Sequence, residues 1–261
     1  TFEAAVRYMI MSLLGSGLFL LGICILYGIT GHLLMESIAT SVMNLIETGM
    51  YQFPLAVVVG LFSMGLAIKS ACFPFHTWLP NAYDNATVAT SSISSGLVLK
   101  GYVFFLIKIF YRMFDISLLF EAKAINVLFV FGACAMLYGS YKAMKEQGLK
   151  RMLAYSSVAQ MGYVYLGIGL GSVYGFAAAI IQMIVHSITK PMLFTAAAGF
   201  MDVSDDSDRF VVLKGAALRD KLSGIAFVVG SLSMIGIPFF AGFVSKVYLS
   251  SAAIENMSTK M

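Results

Sequence analysis

Four lysines stand in otherwise apolar sequence: Lys69, Lys100, Lys190 and Lys246. If those stretches cross a bilayer, each charge near its centre costs about 2.5–3.5 kcal/mol on insertion scales, and the four together roughly 10 kcal/mol, unless paired or hydrated. Residues of this kind usually face a bundle interior and mark an ion or proton path. Burial weakens an ammonium's hold on its proton, and a relay needs that proton to exchange. The competing reading is snorkelling, in which the long stems carry the charges to the interface. It suits Lys69, near the end of its stretch, better than the other three.

His186 precedes Lys190 by four residues, which sets both on one helical face. A neutral imidazole beside an ammonium could pass a proton along that face; alone, the histidine reads equally well as one satisfied by a neighbouring helix. Pro74 follows Lys69 by five residues and Pro238 precedes Lys246 by eight. Proline removes a helix hydrogen bond and breaks or kinks the helix. Broken helices at membrane depth are tolerated where they line a polar cavity, and their exposed backbone dipoles act on nearby charges. His76 and Trp78 lie just past the first break. Proton access is one reading of His76, and an aromatic interfacial turn is the other. All 13 acidic residues lie outside the apolar stretches or at their ends, so Lys69 has no carboxylate partner within the membrane in this chain.

No cofactor or metal is implied. Cys24, Cys72 and Cys134 occupy separate apolar segments with no CxxC or Cys/His ligand spacing, and they read as small packing residues. No motif suits a haem, an iron–sulfur cluster or a flavin.

The elements that must hold these side chains are membrane helices. The chain has 261 residues, 59% of them hydrophobic and 11% charged, and its mean hydropathy is +0.87. A soluble domain carries about a quarter charged residues. The net charge of +4 sits between apolar spans without a continuous basic patch, which argues against nucleic acid and for topology signals.

A spanning helix needs about 20 apolar residues, and seven candidates fit: Arg7 to Ile29, Phe53 to Phe73 ending at Pro74, Val88 to Phe110, Ala124 to Tyr141, Met152 to Leu170, Tyr174 to Met201, and Leu222 to Ile254. The last is too long for one straight crossing and has Pro238 in its middle. With seven spans, Arg7, the 142–151 connection (Lys142, Lys145, Lys150, Arg151) and the 202–221 connection (Arg209, Lys214, Arg219, Lys221) share one side. Lys108, Arg112, Lys123 and Lys260 take the other. The positive-inside rule then places the start of the chain in the cytoplasm and its end outside, in a prokaryotic plasma membrane. Gly15, Gly17, Gly162, Gly167, Gly169 and Gly171 allow close helix contact, and Tyr102, Tyr111 and Tyr141 read as interfacial anchors. The chain opens on Thr1 without a cleavable leader, so residues 1–261 read as one transmembrane unit internal to a longer protein.

The run Lys69-Ser-Ala-Cys-Phe-Pro-Phe-His-Thr-Trp-Leu-Pro80 resembles a signature of the antiporter-like subunits found in respiratory complex I, Mrp-type sodium/proton antiporters and membrane-bound hydrogenases. Three further runs agree in order: Leu149-Lys-Arg-Met-Leu-Ala-Tyr-Ser-Ser-Val-Ala-Gln-Met-Gly-Tyr163, His186-Ser-Ile-Thr-Lys190 and Gly236-Ile-Pro-Phe-Phe-Ala-Gly-Phe-Val-Ser-Lys246. The resemblance implies an all-α fold of about fourteen helices in two inverted repeats, of which this chain holds the sixth to twelfth. It implies a central relay at Lys100 and Lys190 with His186 assisting, an exit-side role for Lys246, and a glutamate on the absent fifth helix as partner of Lys69. Lys100, with Ser95 where many L- and A-type subunits carry histidine, and lysine rather than glutamate at Lys246 resemble a D-type Mrp or an N-type complex I subunit. The family's usual Ala-Pro-Thr-Pro opening of the third span reads Ala86-Thr-Val-Ala89 here, and Pro191 follows Lys190 where alanine is common.

Three functions then compete. One is proton translocation, in exchange for Na+, by a subunit of a multi-subunit complex. The second is proton pumping driven by electron transfer in partner subunits, as in an NADH:quinone oxidoreductase or an energy-converting hydrogenase, without redox cofactors in this chain. The third is a passive membrane subunit.

Overall fold

The computed structural model describes residues 2–114, 119 and 123–258; Lys260 lies outside them. The chain is helical: α1 Phe2–Thr30, α2 Met35–Glu47, α3 Gln52–Lys69, α4 Trp78–Asn85, α5 Val88–Ile93, α6 Leu99–Met113, α7 Ala124–Lys145, α8 Leu149–Gly169, α9 Val173–Asp202, α10 Ala216–Arg219, α11 Lys221–Ile235 and α12 Ala241–Ser258. A 3₁₀ turn, Phe75–Thr77, precedes α4, and a π-helical turn, Ser94–Val98, joins α5 to α6. Among the described residues, five helical runs are long and apolar enough to cross a membrane: α1, α3, residues 88–113, α7 and α9.

The other two expected spans differ for physical reasons. The fifth is α8, whose 21 residues include Lys150, Arg151 and Gln160. It tolerates them because it is the enclosed helix, packed between α7 and α9. The seventh is two helices, α11 and α12, interrupted over residues 236–240. Pro238 falls in that interruption, as its sequence position requires. The short helix α2 has no counterpart in the sequence reading. It is amphipathic, buries Ile38 and Val42, and packs on α6.

Lipid gives helices no hydrophobic reason to associate, so close contact depends on small residues. At the α7–α8 crossing, a Cβ on Gly132 would lie 2.4 Å from the Leu166 amide nitrogen, and one on Gly162 would lie 2.5 Å from that of Met136. Gly17, by contrast, has nothing within 4 Å of where its Cβ would lie.

The basic connections lie together at one end of the bundle. Leu149 N donates to Asp208 O at 2.8 Å and Phe210 N to Gln147 O at 3.1 Å, which ties the 202–221 connection to the α7–α8 turn. Lys150, buried, donates to Asp84 O at 2.6 Å and Ala86 O at 2.8 Å, closing the C-terminal end of α4. The departure at Ala86-Thr-Val-Ala89 is accommodated, because Thr87 caps α5 through its hydroxyl.

Candidate functional site

The first break follows Lys69. Side chains reinforce the carbonyls of the last turn of α3, which already accept from the Ser70 and Ala71 amides: Trp78 Nε1 donates to Ile68 O at 3.1 Å and Ser70 Oγ to Leu66 O at 2.8 Å. The Ser70 hydroxyl also bonds the fully buried Tyr165 hydroxyl of α8 at 2.5 Å. Lys69 itself is half-buried, its ammonium 5.3 Å from the centre of the Tyr102 ring, within cation–π range. Tyr102 is therefore a partner of Lys69. Among the described residues the ion pairs are Arg7–Glu3, Arg151–Asp84 and Arg151–Glu146. None involves Lys69, Lys100, Lys190 or Lys246.

Pro74 lies in the break, and His76 is buried beside it. The imidazole stacks on Phe73 and meets the edge of Tyr138, and its Nδ1 has no hydrogen-bond partner. His76 and Trp78 are both buried in the protein.

Lys100 and Lys190 form the centre. Lys100 is 6% exposed and Lys190 fully buried. The Lys100 ammonium donates to Ser95 O, a carbonyl of the π turn. Such turns recur at functional sites because they disturb the regular ladder. The Lys190 ammonium donates to Leu153 O at 2.7 Å and to the Ser156 hydroxyl. Between them the Ser95 and Ser157 hydroxyls bond at 3.1 Å, and Ser157 Oγ donates to the same Leu153 carbonyl at 3.0 Å. Two cations are thereby joined through two hydroxyls and two carbonyls, with no carboxylate. His186 is fully buried within electrostatic reach of both lysines, and neither ring nitrogen has a hydrogen-bond partner. A buried imidazole with two open nitrogens can accept and pass a proton. Pro191 does not interrupt α9, which runs continuously past Lys190.

Lys246 lies at the second break. Gly236 turns the chain with φ 85° and ends α11. The φ of 85° favours glycine there, and the Lys246 stem lies in the space a Cβ would take, 2.6 Å from its position. Its ammonium donates to Met234 O at 2.9 Å and to Ile235 O, and lies 5.3 Å from the Tyr163 ring centre. Next to it, Ser245 Oγ donates to Gln182 Oε1 at 2.5 Å, and Gln182 Nε2 donates to Gln160 Oε1. Gln182 lies one helical turn before His186 on α9, so this amide pair bridges from the central group toward Lys246.

The structure thus brings Lys100, His186 and Lys190 together and sets Lys69 and Lys246 at two helix breaks on either side of the α8–α9 core. Ser157, Gln160, Gln182 and Ser245 were missed by sequence reasoning. Gln160 and Gln182 carried a usable signal, as glutamines within apolar spans; a search for charges passes over neutral amides.

A family model described as "NADH:quinone oxidoreductase/Mrp antiporter, TM" matches residues 1–261. The NADH-quinone oxidoreductase subunit N of Desulforudis audaxviator is 34% identical over 252 residues, 97% of this chain and 49% of the relative. A chain of the Mrp complex from Dietzia sp. superimposes with a TM-score of 0.85 at 30% identity, covering 98% of this chain and 46% of that one. A chain of the membrane-bound sulfane sulfur reductase, an archaeal respiratory membrane complex, superimposes with a TM-score of 0.86 at 28% identity, covering 96% of this chain and 50% of that one. The chain spans about half the length of the curated relatives it matches.

Proposed function

The chain belongs to the NADH:quinone oxidoreductase/Mrp antiporter transmembrane family, and on that premise we propose that it is a proton-conducting unit of a membrane subunit within a multi-subunit complex. One observation carries this reading: Lys100 and Lys190 are buried close together, held by carbonyls and by the Ser95–Ser157 hydroxyl pair instead of carboxylates, with His186 open beside them as the group that can take up and pass on a proton. An ammonium held by a carboxylate in low dielectric sits in a deep Coulomb well. Here carbonyls and hydroxyls hold it, so the proton can leave. With the Ser157 hydroxyl donating to Leu153 O, the Ser95 hydroxyl donates to Ser157. Lys69 supplies one end of the relay and Lys246 the other, with His76 as an access residue near the first break.

Residues 1–261 act as one transmembrane unit of a longer protein, partnered by other membrane subunits and by lipid. The relay moves protons in exchange for Na+. In a second reading, electron transfer in partner subunits drives the same relay; sequence kinship to a subunit N of NADH-quinone oxidoreductase favours it. The basic turn at 142–151 and the loop around Arg209 face the cytoplasm, which labelling of single cysteines placed at Gln147 and His32 would check.

The deciding experiment uses inverted vesicles carrying the full-length protein in its complex, with a pH-sensitive dye. Release of accumulated protons by a sodium pulse without an electron donor, abolished by Lys246→Ala, establishes exchange. Proton uptake only with a donor and acceptor establishes the redox-driven reading. Proton movement untouched by both Lys100→Ala and Lys246→Ala overturns the relay.

A further inference from the structure

Helix α2 joins the end of α1 to the start of α3, so it lies at the same end of the bundle as the end of α6, on which it packs. It buries Ile38 and Val42 and leaves Glu36 and Met43 exposed. A short amphipathic helix between two spans suits the plane of the membrane interface.

Under α2 is a cavity of about 170 Å³, walled by Leu26 of α1, Ile38 of α2, Phe62 of α3, and Phe105, Ile109 and Met113 of α6. The three α6 residues are spaced four apart and form one stripe of that helix. Tyr27 and His32, both exposed, are the polar members of the wall. An apolar cavity of about 150 Å³ stays dry and takes up hydrocarbon. Met35 lines both this cavity and an adjoining groove of about 440 Å³, whose other members are Glu36, Ala39, Lys108 and Arg112.

Lys108 and Arg112 are one helical turn apart on α6, beside the apolar stripe, and both are exposed. Among the described residues neither has an ion-pair partner, although Glu36 lines the same groove. Topology does not require this pair, because the 142–151 and 202–221 connections carry the orienting charge at the opposite end. A dry hydrocarbon cavity next to two unpaired cations at a membrane interface complements a molecule with a chain and a phosphate.

We propose that α2 and α6 form a binding site for one anionic phospholipid, with an acyl chain in the cavity and the phosphate on Lys108 and Arg112. Arginine matches phosphate with two parallel bonds, and lysine adds a point charge. Two cations and one carboxylate leave the groove with one net positive charge, which a single phosphodiester neutralises. Glu36 then accepts from headgroup hydroxyls, as a glycerol headgroup supplies. The bound chain fills the space between α2 and the spans below it and holds α2 against α6. This site does not depend on the proton-translocation reading.

The test uses the full-length protein in its complex, in nanodiscs containing phosphatidylglycerol with a photoactivatable group on one acyl chain. Mass spectrometry of the digested protein locates the label. The expected result is labelling of the α6 segment 105–113, reduced about tenfold or more in Lys108→Gln/Arg112→Gln, as the loss of two cations from a lipid headgroup implies. The same probe on phosphatidylcholine is expected to label this segment much less in the unaltered protein, a comparison that holds even if the double variant fails to assemble. Equal labelling by the two lipids, labelling unchanged in the double variant, or no label on 105–113 overturns the site.

Discussion

The Lys246 ammonium closes the C-terminal end of α11 by donating to Met234 O at 2.9 Å. This contact separates two roles that one substitution would confuse. Lys246→Ala removes both the cap and the exchangeable proton. Lys246→Arg keeps a cationic donor at the helix end, but a guanidinium does not release its proton near neutral pH. Proton movement is expected to fall about a hundredfold or more in both variants, while thermal stability in detergent falls only in Lys246→Ala. Recovery of proton movement in Lys246→Arg would reduce Lys246 to a structural cap.

Lys100 and Lys190 share one row of bonds through Ser95, Ser157 and Leu153. Groups acting as a unit are strongly non-additive. Lys100→Met and Lys190→Met are each expected to remove nearly all proton movement, and the double variant to remove no more. Initial rates of dye quenching measure this. Losses that multiply would mean that the two lysines work on separate paths.

The lysines were legible because a charge in apolar text has high contrast. Their partners were not, since Ser95 O, Leu153 O and Met234 O are backbone carbonyls, which every residue possesses. Only the fold decides which carbonyls lie open to a side chain. The breaks could be read from Pro74 and Pro238, but the bond from Trp78 Nε1 to Ile68 O could not, because it depends on the chain folding back over residues 70–77. Helix α2 escaped notice because its 13 residues fall short of a span, whereas α8 was legible from its apolar residues 152–170 even though it is not among the helices apolar enough by composition in the structure. The contact of Lys69 with the Tyr102 ring could not be read either, because the two residues are far apart in sequence.

Lys150 gives a contrast between structure and function. It donates to Asp84 O and Ala86 O, and among the described residues it has no link to the relay. Lys150→Ala leaves those carbonyls without this donor, at a cost of about 1.5–3 kcal/mol for hydrogen bonds to a charged group. Lower thermal stability is expected, with proton movement per assembled complex unchanged. Selective loss of movement from a stable complex would bring Lys150 into the path.

Asp220 supplies a pH dependence outside the spans. It caps α11, and bonds from the Ser223 hydroxyl and amide hold its carboxyl below the ordinary carboxylate range. A carboxyl depressed on folding stabilises the folded form above its unfolded value, about 3.9, and that contribution is lost as pH falls through the lower folded value. Acid unfolding of the complex should therefore be less steep in Asp220→Asn below about pH 4, with the two proteins parallel near neutrality. An identical acid limb would mean that the cap does not contribute.

Gln182 links Ser245 to Gln160 and lies between the central group and Lys246. Gln182→Leu deprives two buried groups of a partner: the Gln160 amide oxygen loses its donor, and Ser245 is left with Gly242 O alone. Unsatisfied buried groups of this kind cost about 1–3 kcal/mol. If the amide only supports packing, stability falls while proton movement per folded complex is kept. If it sets the approach to Lys246, movement falls by about tenfold or more, and Gln182→Glu, which keeps an acceptor for Ser245, recovers part of it. We expect the second outcome, because Ser245 and Lys246 are adjacent on α12 and a shift of the serine carries the ammonium away from Met234 O. Dye quenching in vesicles, normalised to assembled complex, separates the two.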